Sequence, residues 1–251
     1  MSSDDTTPLP IIQRDHRFVR GTIRYTSNKP ERKGEERGRE YFLITRHSDG
    51  KRTASAHCEI DDRPNVMRDI VYGLDADWLP TDCSVRLSVG DRFMGSAWFR
   101  FAPDHAECEA WTAHEGRVHQ RMELDAPLLT FQNHAIVCDS WHFRLYDRSK
   151  GPGIQGIDTV LLSSPDHRGA TGPMLFRIGM GMEYVGEEVL EVEAGRFDAL
   201  HFRFVSAPGL PQEHPDYDVW CTNDGEFLFL KAQAGGYMQT VYETVELHYG
   251  P

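Results

Sequence analysis

The chain alternates apolar and polar residues in runs of about five to eight, with Gly, Asp or Pro at almost every join. That rhythm restricts the fold more than any other feature. "FVRGTIRYTS" opens the series, and "YFLITRHSDGKRTASAHCEI" reads as strand, turn, strand, its Asp-Gly step suited to positive φ. The run "NKPERKGEERGRE", 28–40, reads as a charged loop or hairpin tip. Further on, "LFRIGMGMEYVGEEVLEVEAGRFDALHFRFVSA" suggests three strands and "YDVWCTNDGEFLFLKAQAGGYMQTVYETVEL" three more. Parallel sheets need repeated crossover helices, and no repeated helical period is present. The expected fold is therefore mainly β: a large antiparallel half-barrel or barrel of about ten or more strands. Residues 1–16 are expected to form a disordered arm and 17–251 a single domain.

One segment breaks the rhythm. "HAIVCDSWHFRLYDRS" is followed by Gly151, Pro152 and Gly153, which stop a helix. Asp139 is placed to act as an N-cap. Trp141 and Leu145 are four apart, as are His142 and Tyr146, so each pair shares a face of an α-helix. One helix near residues 139–147, covering the barrel, is the expectation.

Composition narrows the function. A formal net charge of −12 repels phosphate backbones and anionic membrane surfaces, so neither nucleic acid nor membrane insertion is expected. The N-terminal "MSSDDTTPLPIIQRDHR" has no apolar leader, and no stretch approaches the length of a membrane span. The five cysteines, 58, 83, 108, 138 and 221, form no CxxC pair and read as small buried thiols in a reducing compartment. A cytoplasmic protein is expected, with room left for a homodimer.

"GMEYVGEEVLEVEAGRFDALHFRFV" followed by "YDVWCTNDGEFLFLKAQ" resembles an uncharacterised bacterial family with a LolA-like half-barrel fold. The matching residues are Ala194, Gly195, Phe197, Ala199, Val219, Trp220, Asp224 and Gly225, and the resemblance spans roughly 140–248. It implies a curved antiparallel sheet whose concave face is covered by a helix, and it carries no catalytic residues. Relatives with that fold carry or sense lipid-like molecules in the periplasm. A cytoplasmic member would turn its cavity toward a small hydrophobic metabolite.

Motifs for nucleophilic, dinucleotide, P-loop and metal chemistry are absent; "GMGMEYVG" (179–186) falls in a β pattern rather than opening a helix. In "HAECEAWTAH" the spacing of His105, Glu107, Glu109 and His114 fits a solvated hairpin edge better than a metal site. No metal and no cofactor are expected. Acid–base residues remain. His134, Asp139, His142 and Tyr146 cluster around the expected helix, where His142 and Tyr146 would act as general acid and base and Asp139 would orient a histidine or cap the helix. In "LHFRFV" the alternation puts His201 and Arg203 on one face, fit to bind a carboxylate or enolate if that face lines a polar interior, and to meet solvent otherwise. His57 shares a face with Glu59 in the same way. Trp141, Trp220, Tyr217 and His57 are the candidate ligand contacts. Two functions fit: a cofactor-free lyase or isomerase acting on a small hydrophobic, aromatic or terpenoid metabolite, and a non-catalytic carrier of a lipid-like or aromatic ligand. Titratable groups converging in a cavity favour the first, and an almost wholly apolar lining the second.

Overall fold

A computed structural model describes residues 15–61, 64–166, 168–211 and 214–250. The arm expected at 1–16 lies outside the described residues except for its last two. The described residues contain fifteen strands: β1 (Arg17–Ser27), β2 (Glu36–Arg46), β3 (Arg52–Ile60), β4 (Val66–Leu74), β5 (Pro80–Val89), β6 (Arg92–Phe101), β7 (His105–Thr112), β8 (Gly116–Glu123), β9 (Phe131–Gln132), β10 (Ile154–Leu162), β11 (Phe176–Val192), β12 (Gly195–Ser206), β13 (Tyr217–Thr222), β14 (Phe229–Ala234) and β15 (Thr240–Gly250). All belong to one sheet in the order β8-β7-β6-β5-β4-β3-β2-β1-β15-β14-β13-β12-β11-β10-β9. The fold is mainly β, as expected.

Two expected boundaries move. The charged run 28–40 is a turn only to Glu35, because β2 already begins at Glu36, with Glu36 and Arg39 exposed and Glu40 buried. The stretch 176–206 forms two strands, not three. β11 runs unbroken for 17 residues, since bulges at Gly181/Met182 and Tyr184/Gly186 absorb the irregularity that reads as a break in the sequence.

The sheet curls until its two edge regions meet. Gln120 on β8 uses its side-chain amide as a strand would use its backbone: it donates to the Leu175 carbonyl (3.3 Å) and accepts from the Leu175 N–H (2.7 Å). Arg177 donates to the Glu123 carbonyl at 2.8 Å. Pro173 seats over β6 at Gly95, where a Cβ would lie 2.5 Å from its Cδ, so only glycine permits the approach.

Many inward positions on β3 and on β5 to β7 are small: Ala54, Ala56, Cys58, Cys83, Ala97, Ala106, Cys108 and Ala110 are all buried. The space they leave is filled by the chain itself. The expected helix is present as a 3₁₀ helix, Ile136–Leu145, enclosed by the sheet, with Val137 to Phe143 all buried. Phe143 stacks on Phe202 of β12 (4.4 Å between centroids), and Trp141 meets Tyr72 of β4 at 6.1 Å and Trp78 at 5.8 Å. All five cysteines are free and buried.

The 3₁₀ geometry overturns the expected pairings. With three residues per turn, neighbours on a face are i and i+3, so His142 lies under Asp139 and not under Tyr146, and Trp141 pairs with Cys138 and Arg144 rather than Leu145. Asp139 is not an N-cap, since the helix starts three residues earlier, at Ile136 after Ala135.

Candidate functional site

A helix inside a barrel must satisfy its polar groups without water. Its N-terminus is met by Glu40, an inward residue of β2 that is completely buried. Glu40 accepts from the Ile136 N–H (2.7 Å), the Val137 N–H (2.8 Å), the Tyr25 hydroxyl (3.0 Å) and the Cys58 thiol (3.1 Å). A carboxylate at this end is favoured by the orphan N–H groups, but loss of water dominates and raises its pKa above the ordinary value. Farther along, Ser140 donates to the Phe227 carbonyl at 2.6 Å, and Arg144 donates to the carbonyls of Trp141, Trp78 and Leu129. Arg68 of β4, also buried, holds the approach to the helix by donating to the carbonyls of His134, Arg168 and Gly169.

Ile136 and Asp139, one 3₁₀ turn apart, are the residues of the helix that face open space, and Asp139 is the polar one. It lines a pocket of about 100 Å³ between the helix and the β11–β13 wall, with Gln132, His134, Tyr217, His214 and an apolar remainder that includes Met180, Phe204, Met238 and Tyr242. Ser206, Ala207, Leu210, His214 and Met238 are its less buried members and mark its mouth. Asp139 Oδ1 accepts from the Gln132 amide and Oδ2 from the Tyr217 hydroxyl, both at 2.8 Å. Both partners are neutral. Burial therefore outweighs the hydrogen bonds and, with a smaller push from Glu40, lifts the Asp139 pKa to about 7. Burial, with the charge of Asp139, holds the Tyr217 phenol protonated. Gln132 links the carboxyl to His134: its Oε1 accepts the His134 N–H at 3.1 Å. His134 has φ of +67° and its Nδ1 lies 2.9 Å from Ser163 Oγ. His214 contacts the Pro215 carbonyl through Nδ1 at 2.7 Å, and burial lowers its pKa.

The structure thus brings together Asp139, His134 and Tyr217 and separates the other candidates. His142 is buried beside the pocket, not in it; its Nδ1 pairs with Thr130 Oγ1 at 2.7 Å, and burial drives its pKa down to about 3, so it stays neutral. Tyr146 ends the helix and donates to the carbonyls of Gly151 and Gly153, fixing the loop that follows. Trp141 is a core wall. His201, Arg203 and Trp220 lie on the outer face: His201 Nε2 and Arg203 Nε contact Asp218 Oδ1 at 2.7 and 3.0 Å, and the His201 ring stacks on Trp220 at 4.1 Å. The reason is the alternation itself, which gives the interior to Leu200, Phe202 and Phe204. His57 is also outside, between Asp69 (2.6 Å) and Glu59 (3.1 Å). On β7, His105, Glu107 and Glu109 make surface ion pairs with Asp104, Arg121 and His119, and no cluster of metal-ligating side chains occurs among the described residues.

Sequence reasoning missed Glu40, Arg68, Gln132, His214 and Tyr242. For two of them a signal exists: Glu40 shares its strand face with Phe42 and Ile44, and Arg68 with Val66, Ile70 and Tyr72. A charge on the apolar side of an alternating strand marks an interior polar anchor.

No helix among the described residues is long and apolar enough to cross a membrane. No family model and no curated protein matches this chain. Among solved structures it is similar to a β-barrel-like protein from Brucella abortus, of the domain of unknown function DUF1849. The TM-score is 0.58 at 9% identity, and the match covers 94% of this chain and 98% of the other. The similarity is therefore one of fold: both chains are β-barrel-like.

Proposed function

We propose that the protein binds a small, mostly apolar molecule in the Asp139 pocket, its one polar group engaging the Asp139–Tyr217 pair. The observation that carries this reading is the lining: apolar side chains such as Leu162, Ile178, Met180, Phe204 and Met238 stand beside the hydrogen-bonding groups of Gln132, Asp139 and Tyr217, the usual composition of a small-molecule site. The resemblance of residues 140–248 to a LolA-like half-barrel family, whose relatives carry apolar molecules, supports it. Binding is favoured over turnover because four of the six expected catalytic residues, His142, Tyr146, His201 and Arg203, lie outside the pocket.

A second reading, a cofactor-free lyase or isomerase, has one specific support. Asp139 titrates near 7, where a general base is most effective, and stands beside a phenol. Methionine methyl NMR tests the binding reading directly, because Met180 and Met238 both line the pocket. Small alcohols and arenes are expected to shift those two methyl signals and leave surface methionines unmoved. If no member of such a panel shifts them, and native mass spectrometry of the purified protein finds no bound small molecule, the reading is wrong. Chemical conversion of a bound molecule, lost in Asp139→Asn, would establish the second reading.

A further inference from the structure

The charge balance inside the barrel is uneven. The pocket has a carboxyl, three rings and two histidines in its wall, but no lysine or arginine among the described lining residues. Asp139 is held only by an amide and a phenol. Glu40, at the start of the same helix, is held by two backbone N–H groups, a phenol and a thiol. Arg68 is fully buried nearby, yet it donates to the backbone carbonyls of His134, Arg168 and Gly169 rather than to either acid. Among the described residues, neither buried carboxyl therefore has a lysine or arginine side chain in hydrogen-bond contact.

The Tyr217 and Tyr242 rings meet at a corner beside Asp139, while Phe204 is packed between Tyr217 and Phe143. Tyr217 lies parallel to Phe204 (5.8 Å, 13°) and perpendicular to Tyr242 (6.1 Å, 88°). Ring faces carry negative charge density and attract cations, most strongly where water is excluded. A carboxylate behind such a corner repels an anionic ligand and gives a neutral one only a hydrogen bond.

We propose that the pocket selects a small organic cation, an ammonium group on a short apolar body, seated with its charge against Asp139 and the Tyr217 and Tyr242 rings. This rests on the reading of the pocket as a binding site. Size limits the body: a dry cavity of about 150 Å³ holds a benzene, so the enclosed part of about 100 Å³ takes about four or five heavy atoms. A longer tail would leave through the mouth at Ser206 and Leu210.

The ammonium binds the ionised carboxylate, so its affinity follows the ionised fraction of Asp139. Groups facing the carboxyl are Cys138 on its own helix, Glu40 from β2, Gln132 from β9, Tyr217 from β13, Tyr242 from β15, and His134 and His214 from loops. With the carboxyl titrating at about 7, affinity is expected to fall about 30-fold from pH 8.5 to pH 5.5.

The test uses the full-length protein and three probes of one shape: n-butylammonium, n-butanol and butyrate. Binding is read by calorimetry and by the Met180 and Met238 methyl signals, in wild type and Asp139→Asn. The expected result is butylammonium at least 10-fold tighter than butanol at pH 8.5, butyrate weakest, and the 30-fold loss at pH 5.5. In Asp139→Asn the preference for ammonium over butanol and its pH dependence vanish. The probe and pH comparisons on wild type need no variant to fold. Butanol bound as tightly as butylammonium, or a pH dependence that survives in Asp139→Asn, overturns the cation proposal and leaves the pocket reading standing. No binding of any probe overturns both.

Discussion

Replacing Asp139 by asparagine should stabilise the protein above neutral pH. The side chain is completely enclosed, and its pKa rises from 3.8 in the open chain to about 7 in the fold. Between those values the folded protein keeps a proton that the unfolded chain has lost. Unfolding then becomes easier as pH rises, by about 1.4 kcal/mol per pH unit. Over about three pH units the loss reaches about 4 kcal/mol, complete above pH ~7 and absent below pH ~4. Asparagine keeps the shape, can still accept from Tyr217, and carries no charge to desolvate. Urea unfolding of both proteins at intervals from pH 4.5 to 8.5 measures the difference. Other groups titrate in this window, His142 in the opposite sense and Glu40 in the same one, but they are common to both proteins and cancel on subtraction. The variant's advantage should grow with pH from near zero to a few kcal/mol. A difference that stays flat, or that falls as pH rises, would refute the assignment of an uncompensated buried carboxyl.

Four further outcomes are expected. Glu40→Leu leaves two helix N–H groups and a phenol without an acceptor, at about 1–3 kcal/mol each, so chemical denaturation should show a loss of about 3–9 kcal/mol. The depressed His142 pKa makes its contribution to stability full above about pH 6.5 and progressively lost as pH falls toward about 3; His142→Leu should flatten the acid limb of the stability profile over that range. Gln120→Ala removes both hydrogen bonds to Leu175, and hydrogen exchange at the Leu175 amide should accelerate while the amides of β12 and β13 are unchanged. The double variant His201→Ala, Arg203→Ala breaks only outer-face contacts, with Asp218, Glu183, Glu188 and Trp220, so pocket binding should be unaltered and stability should change by about 1 kcal/mol or less.

The architecture was largely legible because period-two alternation records which side of a sheet each residue faces, and fourteen of the fifteen strands here run antiparallel to a neighbour. The helix was legible as an interruption of that period, but its type was not. A 3₁₀ segment of ten residues is uncommon, and its stability comes from Glu40, Phe202 and the carbonyls around Arg144, which lie far away in sequence. Hence His142 and Tyr146 were assigned a shared face that exists only at 3.6 residues per turn. Asp139, His134 and Tyr217 could be named from local pattern, whereas Gln132 and Tyr242 enter the pocket only through tertiary closure. His201 and Arg203 were correctly ordered along their strand; which side of that strand would be inside was already set by Phe202 and Phe204.

The strand order has a consequence for how the chain assembles. β2 to β8 grow as a meander in one direction from β1, and β14 to β9 grow in the other from β15. The pairing that joins the two halves sets Phe18 opposite Gly250 and Ser27 opposite Thr240. Each half can zip through local hairpins in microseconds, but the junction must close a loop of nearly the whole chain, the slowest kind of contact to form. Until a ribosome has released β15, one edge of β1 therefore stays unpaired, a sticky border of the sort that invites aggregation. Linking the ends of β1 and β15 covalently and cutting the chain between β8 and β9 would turn that last, long-range step into a local hairpin, and refolding should become faster with the barrel unchanged.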